Sequence, residues 1–445
     1  MNEELKELIS RKDWNRLKDR LVALPPPDAA DLLEELEPEN ALLVFRLLPR
    51  DRAGDVFAEL EPPAQEALIR KMADGRARAV ILELSPDERT EFLEDLPDSL
   101  VRKLVYLLPR EERREALELL GYPEESVGRL MTPDYVALRP HWTVEEAFRH
   151  LRRYGSDAET LNVVYVTDDD RRLIDDIPIR RLLLADPDRK VEELMDRTFI
   201  SIGAESDQEE AVRLMDRYDL AALPVVDRTG ALLGIVTIDD ALDVVEEELT
   251  EDFEKRAAIT PLGVHYSLAS PGILFAKRIG WLVILTLAGF FSAGVISFFE
   301  ETLREWIALA FFIPILIDTG GNAGAQSATL VIRALAVGDL TLEKWWWVMK
   351  KESRVGVLLG LTLAVILFCF GFFWQGAAAI GLIIGLAMFL VIFWANLAGS
   401  VLPIILVRLK LDPAMVSSPL ITTMIDVTGL IIYFLIARAV FSLLG

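Results

Sequence analysis

The chain has almost none of the residues that build zinc or redox chemistry. Its one cysteine, Cys369, lies inside an apolar run, which excludes disulfides and thiolate clusters. Its three histidines, His141, His150 and His265, are too scattered for a zinc site. There is no HExxH, no phosphate-cradling glycine loop with a lysine and no nucleophile–base pair, so a membrane enzyme has little to work with and the chain is read as a non-enzyme. Residues 1–20 are charged and amphipathic without an apolar core, so no signal peptide is expected. Basic charge is also scarce: 47 Lys+Arg face 70 Asp+Glu, for a formal net charge of −23. That balance argues against nucleic acid as a partner and for solvated faces or cations.

What is present is sharply partitioned. Hydrophobic residues make up 52% of the 445, yet 26% are charged. Only 11 Lys+Arg and 9 Asp+Glu follow residue 270, which leaves about −25 in residues 1–270. The apolar half holds five candidate spans, at 279–299, 307–330, 355–374, roughly 378–407 and 419–436. Each is long enough to cross about 30 Å of hydrocarbon. Basic and non-basic loops alternate between them: Lys277 and Arg278 before the first, then Glu300, Glu301 and Glu305, then Lys344, Lys350, Lys351 and Arg354. An uncharged loop near Gln375 and then Arg408 and Lys410 follow. The positive-inside rule therefore expects a cytosolic N-terminus and an extracytoplasmic C-terminus.

Residues 25–120 repeat with a period of twelve, from PPPDAADLLEEL and EPENALLVFRLL to PREERREALELL. Each unit usually opens on Pro or an acid and closes on an apolar residue: Leu36, Leu48, Leu60, Met72, Leu84, Leu96, Leu108 and Leu120. Proline suits a first helical turn and blocks continuation of the helix before it. Each unit is expected to be one short helix, and the stack an all-α superhelix of undecided hand.

Residues 131–248 carry two α/β segments in the same order of strand, acidic helix, strand, turn, strand and helix. The second, LPVVD followed by GIVTIDD, resembles the second half of a CBS-domain pair. The first is weaker, because LIDDIPIRR (residues 173–181) lacks the glycine and the Thr/Ser–Asp ending. The resemblance implies a site for adenine nucleotide such as ATP, but Arg181 stands where such sites commonly have Asp. The acidic stretch VVEEELTEDFEK (residues 244–255) then reads either as a solvated linker helix or as a helix standing over a pore mouth.

Ionisable residues inside a membrane are costly and tend to mark function. Asp318 and Asp426 are the two that qualify. Helical spacing puts Ser418, Thr422, Asp426, Gly429 and Tyr433 on one stripe. Two copies facing across a dimer axis would line one hole with carboxylates, a setting for a hydrated, oxygen-seeking ion such as Mg²⁺. The alternative is a buried Asp426 paired with a hydroxyl or with Arg438. The run from Thr319 to Ser327 is rich in small residues and includes Asn322; it is expected either to unwind along a cavity or to pack helices closely. Asn396 adds a polar point, and Pro403 a probable kink, in the fourth span.

Taken together, PILIDTGGNAGAQSATL, FWANLAGSVLP and DPAMVSSPLITTMIDVTGL closely resemble the MgtE family of bacterial magnesium channels. The resemblance implies a homodimer in the lipid bilayer of the bacterial cytoplasmic membrane, with one pore selecting at Asp426 and with Thr422, Ser418, Asn322, Asn396 and Asp318 along the path. It also implies closure by intracellular Mg²⁺ at Asp55, Asp87, Glu91, Glu209, Asp216, Asp219, Asp240, Asp243, Glu251 and Asp252. Ser418 stands where related members have Asn, and Asp318 where glycine is common. The expected domains are a helical N-domain (1–128), two CBS units (129–194 and 195–245), an acidic connecting helix (246–270) and a transmembrane pore domain (271–445). A transporter of another substrate that senses nucleotide remains a competing reading at this point.

Overall fold

The computed structural model describes residues 5, 8–9, 11, 13–94, 96–262, 266, 269–336, 338–375, 378–413 and 418–444. His265 and residues 414–417 of the last quoted motif lie outside the described residues, as does the side chain of Gln375. The chain forms two compact units, Met1–Glu248 and Leu249–Gly445.

The first unit opens with nine described helices: α1 (Trp14–Ala23), α2 (Pro26–Glu34), α3 (Pro38–Phe45), α4 (Arg50–Ala58), α5 (Pro62–Lys71), α6 (Asp74–Ile81), α7 (Pro86–Glu94), α8 (Asp98–Leu107) and α9 (Arg110–Leu119). From α2 onward they begin every twelve residues, so the sequence period is the period of the helices. Proline is the first helical residue of α2, α3, α5 and α7, where its absent N–H leaves no bond unmade. The apolar residues that close the units enter one core: Leu48, Leu60, Met72, Leu84, Leu96 and Leu108 are all buried. Helices two apart in sequence pack on each other, as α2 on α4 and α4 on α6. Arginines tie the same pattern from outside, Arg52 donating to the Leu24 carbonyl and Arg76 to that of Leu48. Each guanidinium meets carbonyls that a helix end leaves unpaired.

After a short turn, α10 (Val127–Leu130), two three-stranded sheets follow. The first has β1 (Ala137–Leu138) parallel to β2 (Val163–Thr167), and β2 antiparallel to β3 (Leu173–Pro178). The second repeats this with β4 (Ile202–Gly203), β5 (Ala222–Val226) and β6 (Leu232–Thr237). Helix α11 (Val144–Tyr154) enters on a capping box at Thr143 and Glu146, and packs under the first sheet. LIDDIPIRR, weak as a motif, still forms β3 and α12 (Ile179–Leu183). Asp175, fully buried in β3, accepts from the amides of Asp196 (2.8 Å) and Arg197 (3.0 Å), which staples the segment between the sheets. Helix α13 (Gln208–Tyr218) precedes β5, and α14 (Ile238–Arg256) leaves β6.

The second unit holds five helices long and apolar enough to cross a membrane. They are α15 (Pro271–Phe298), then, after the short α16 (Glu300–Glu305), α17 (Ile313–Ala336), α18 (Trp345–Gln375), α19 (Ala378–Arg408) and α20 (Ser418–Leu444). The core lies among α17, α19 and α20, around Val391, Ala395, Ile421 and Ile425. Small residues permit it: a Cβ on Gly399 would come 2.2 Å from the Gly324 carbonyl oxygen, and one on Gly321 would come 2.6 Å from Thr422. Of the two expectations for the glycine run, close packing is the one the structure holds. The run is a continuous helix, and its glycines serve close helix approach.

Candidate functional site

Two sets of side chains stand out, one in each unit. In the membrane unit, α17 and α20 cross where Gly321 meets Thr422, and this crossing brings the two intramembrane aspartates into electrostatic reach of one another. Asp426 is partly buried, and its Oδ1 is shielded from solvent with no hydrogen-bond partner among the described residues. This oxygen has neither a hydroxyl nor Arg438 as a partner among the described residues. Asp318 is exposed on α17, and its Oδ2 accepts from Asn322 Nδ2 at 3.3 Å. One turn further, Gln326 is exposed on the same face. A polar stripe of this kind is too costly to meet lipid and calls for water or a second chain.

The other expected pore residues divide. The Thr422 hydroxyl donates to the Ser418 carbonyl at 2.9 Å, so it turns an oxygen outward from α20 only as an acceptor. Asn396 is not with Asp426. It is buried, and its Nδ2 donates at 3.0 Å to a Glu352 oxygen that also takes the Ser327 hydroxyl at 3.0 Å. Glu352 is 8% exposed, an intramembrane acid that the sequence did not single out. Tyr433, on the same sequence stripe as Asp426, is buried too and donates to the Leu309 carbonyl at 2.9 Å.

In the N-terminal unit, the acids gather where α4 and α7 of the helical stack approach the start of α14. Asp87 is 7% exposed, and its Oδ1 is shielded without a partner. Burial holds its carboxyl above the ordinary range against the hydrogen bonds of Ser85 and the backbone. Asp240 is likewise pushed up, first by burial and then by the Asp87 charge, although Thr237 donates to it through Oγ1 (2.5 Å) and N (3.2 Å). Glu159, between α11 and β2, is lifted to about 7 by burial and by Asp87, Glu88, Asp239 and Asp134. Glu59 is raised by burial, Glu88, Asp243 and Asp55, and Asp243 by burial, Asp239 and Glu246. Asp87, Asp240, Asp243 and Asp55 are therefore one neighbourhood, and Glu159, Glu59, Glu88, Asp239 and Asp134 are members that sequence reasoning missed. Glu91 lies on α7, exposed, beside this patch in sequence. Only the structure could find Glu159, since its loop has no pattern.

The remaining expected sensor residues lie apart from that patch. Glu209 is paired with Arg213 along α13 at 3.4 Å, Asp216 is exposed on the same helix, and Asp219 ends it in a left-handed conformation. Glu251 and Asp252 pair with Lys255 and Arg256 one turn on, at 2.7 and 3.2 Å. Among the described residues no three carboxylates or imidazoles converge tightly enough to grip a bare metal ion. The donor set is all oxygen, diffuse and self-repelling, which fits a cation that keeps part of its water shell.

A family model described as a divalent cation transporter, MgtE, matches residues 313–436, the MgtE intracellular N domain matches 24–125, and CBS domains match 127–188 and 191–247. The magnesium transporter MgtE of Thermus thermophilus is 48% identical over 320 residues, covering 72% of this chain and 71% of that one. The chain belongs to the MgtE family. The MgtE of Bacillus subtilis is 39% identical over 322 residues, with 72% and 71% covered. Among solved structures, the cytosolic domain of an Mg²⁺ channel MgtE in complex with ATP superposes with a TM-score of 0.53 at 38% identity, over 55% of this chain and all of that one. The soluble part of a magnesium transporter gives 0.52 at 28%, over 56% and 97%. Within MgtE terms, the family model for transport falls on α17 to α20, the helices that carry Asp318, Asn322 and Asp426.

Proposed function

We propose that the chain is a magnesium channel of the cytoplasmic membrane, not an enzyme, and that it selects at Asp426 and closes when cytosolic Mg²⁺ binds its acidic N-terminal unit. The observation that carries this is the partly buried Asp426 with an unpartnered oxygen beside Asp318 on a polar helix face. A carboxylate held there costs several kcal/mol unless a cation or water meets it. Two copies related by a dyad would turn the exposed Asp318–Asn322–Gln326 face away from lipid and line one aqueous path, which supports a homodimer. Hydrated Mg²⁺ suits that path, because it sheds water reluctantly and takes oxygen ligands. The basic residues early in α15, around the start of α18 and at the end of α19 support a cytosolic N-terminus and an extracytoplasmic C-terminus. Division at residues 128, 194, 245 and 270 into N-domain, two CBS units, connecting helix and pore domain belongs to the same reading.

Closure follows from charge. Near −25 over residues 1–270, the N-terminal part repels itself, and the raised carboxyls around Asp87 and Asp240 record where. Mg²⁺ there replaces repulsion with attraction and holds the helical stack to the CBS pair. A relative's cytosolic domain was solved with ATP, so an adenine nucleotide in the CBS pair is a companion reading. In this chain Arg181 is bound to Asp196 (3.0 Å) and to the Leu194 carbonyl (2.9 Å), and a ribose there has to work around that pair. Equilibrium binding of ATP to wild type and Arg181→Asp tests it, with tighter binding expected for the variant.

Uptake into proteoliposomes, with Mg²⁺ varied on the cytosolic face, tests the main proposal. Wild type should take up Mg²⁺ and slow as cytosolic Mg²⁺ rises, while Asp426→Ala should lose uptake by at least about tenfold, as for loss of one charged contact worth over 1.4 kcal/mol. Uptake that ignores Asp426 would place the selective point elsewhere.

A further inference from the structure

Helix α17 lies on its neighbours along a face with few side chains of its own. A Cβ on Gly320 would come 2.6 Å from Val391 of α19, and one on Gly324 would come 3.0 Å from Ile421 of α20. Apolar contacts of this kind set how near two helices lie, but they carry little direction. A face without ridges also gives α19 and α20 little to interlock with, and interlocking is what ordinarily fixes a helix's rotation and depth. Rotation matters here, because the exposed side of α17 carries Asp318, Asn322 and Gln326.

One point on the buried face is polar. Ser327 is buried, and its hydroxyl lies 3.0 Å from a carboxylate oxygen of Glu352 on α18 and 3.0 Å from the Asn396 carbonyl of α19. Asn396 Nδ2 donates to that same Glu352 oxygen at 3.0 Å. One turn past Glu352, a Cβ on Gly356 would come 3.3 Å from that of Asn396, so α18 and α19 are close at this level. Three helices therefore meet at one buried carboxylate. Hydrogen bonds weaken steeply as they bend, so this joint resists a rotation that the glycines do not. Ser327 follows Asp318 by nine residues, which puts the two about 180° apart around the helix. A rotation of about 20° would carry each Cα of α17 by about 0.8 Å, and the side-chain oxygens by more.

We propose that Glu352 is a positioning residue for ion selection: its bonds to Ser327 and Asn396 fix the rotation and depth of α17, and so the place of Asp318 and Asn322 beside Asp426. This rests on the channel reading above. Glu352 does not touch the permeating ion. It acts on which ion passes, because a cation held through its water shell is sorted by where the oxygens around that shell stand. With the joint broken, α17 can turn on its glycine face, the path loses its fixed width, and a larger divalent ion such as Ca²⁺ is rejected less well.

The test is uptake of Mg²⁺ and of Ca²⁺ into proteoliposomes by the full-length wild type, Ser327→Ala, Glu352→Ala, their double variant and Glu352→Gln. Either alanine variant should raise the Ca²⁺-to-Mg²⁺ uptake ratio by roughly threefold or more and raise the Mg²⁺ concentration at half-maximal uptake. The double variant should move both no further than the larger single, since the two remove one joint. Glu352→Gln keeps an oxygen that accepts both bonds and should stay within about twofold of wild type. A joint that served stability alone would lower the thermal midpoint and the maximal rate while leaving the ratio and the half-saturating concentration where they were, and that result overturns the proposal while the channel stands. Ser327→Ala removes one hydroxyl, so it supplies the answer even where Glu352→Ala does not fold. A Glu352→Gln ratio shifted as far as that of the alanine variants would mean that the charge itself acts on the ion, and positioning falls. A wild type that takes up no Mg²⁺ overturns the channel reading and this proposal with it.

Discussion

At Glu159, burial and the charges of Asp87, Glu88, Asp239 and Asp134 lift the carboxyl to about 7, so its proton is linked to the packing around it. The sign is fixed by direction: a folded-state pKa above the ordinary 4.5 means the fold holds the proton more tightly than the unfolded chain. Its contribution is complete below about pH 4.5 and lost as pH rises through about 7. Without divalent cations, the thermal midpoint of the N-terminal unit in the full-length protein should fall between pH 5 and 8. Mg²⁺ should flatten that fall, and Glu159→Gln should flatten it without Mg²⁺. A midpoint equally steep in the variant would take Glu159 out of the patch. Glu352 makes a different residue-scale case. Its carboxylate satisfies Asn396 and Ser327 inside the membrane unit, and removing one buried partner costs about 1–3 kcal/mol for each group left unpaired. Glu352→Ala should lower the thermal midpoint in detergent clearly, and Glu352→Gln, which keeps an acceptor, by much less. The sequence hid this acid for a physical reason. Lys350, Lys351 and Arg354 beside it read as a basic loop, but α18 already begins at Trp345 and turns Glu352 inward.

Elements were legible where one local rule set them. The twelve-residue period, proline at the first turn and apolar closing residues predicted helices that do begin every twelve residues from Pro26 to Arg110. The CBS order was legible from alternation, including the first half, whose motif is weak but whose strands obey the same pleat. The glycine run of α17 was not, because small residues signal close packing and unwinding alike. What decides is whether another helix fits against them, and α19 and α20 do. Gly399 is the sharpest point, with a Cβ 2.2 Å from the Gly324 carbonyl oxygen, whereas a Cβ on Gly280 of α15 meets nothing within 4 Å. Gly399→Ala must push α19 off α17, at an overpacking cost of about 1–3 kcal/mol, and Gly280→Ala should be silent. Thermal unfolding of both variants in one detergent checks this. Equal midpoints would mean that α17 and α19 do not approach as closely as described. Asn396 and Tyr433 are buried against Glu352 and Leu309 for the same kind of reason, since helical spacing fixes a face but not which neighbour covers it.

At the scale of the whole molecule, the charge partition would make the proposed gating a collective property. Moving a gate from 1:99 to 99:1 takes about 5.5 kcal/mol of differential binding. No described cluster is tight enough to supply that from one ion, but about five weakly held ions each preferring the closed form by roughly 1 kcal/mol would suffice. Closure should then be steep in Mg²⁺, and its steepness should erode with each site lost. Asp240→Asn with Asp243→Asn and Glu251→Gln removes carboxylates from both units, so the triple variant should keep conducting at cytosolic Mg²⁺ that shuts wild type. Asp216→Asn, away from the Asp87–Asp240 patch on exposed α13, should shift the midpoint only slightly. Measuring the full Mg²⁺ dependence for wild type and both variants separates the two accounts of closure. A graded loss of steepness supports many weak ions acting through a self-repelling surface. A single variant that abolishes closure outright would mean that one strong site carries the gate, and the diffuse acid of the N-terminal unit would then serve only to keep it soluble.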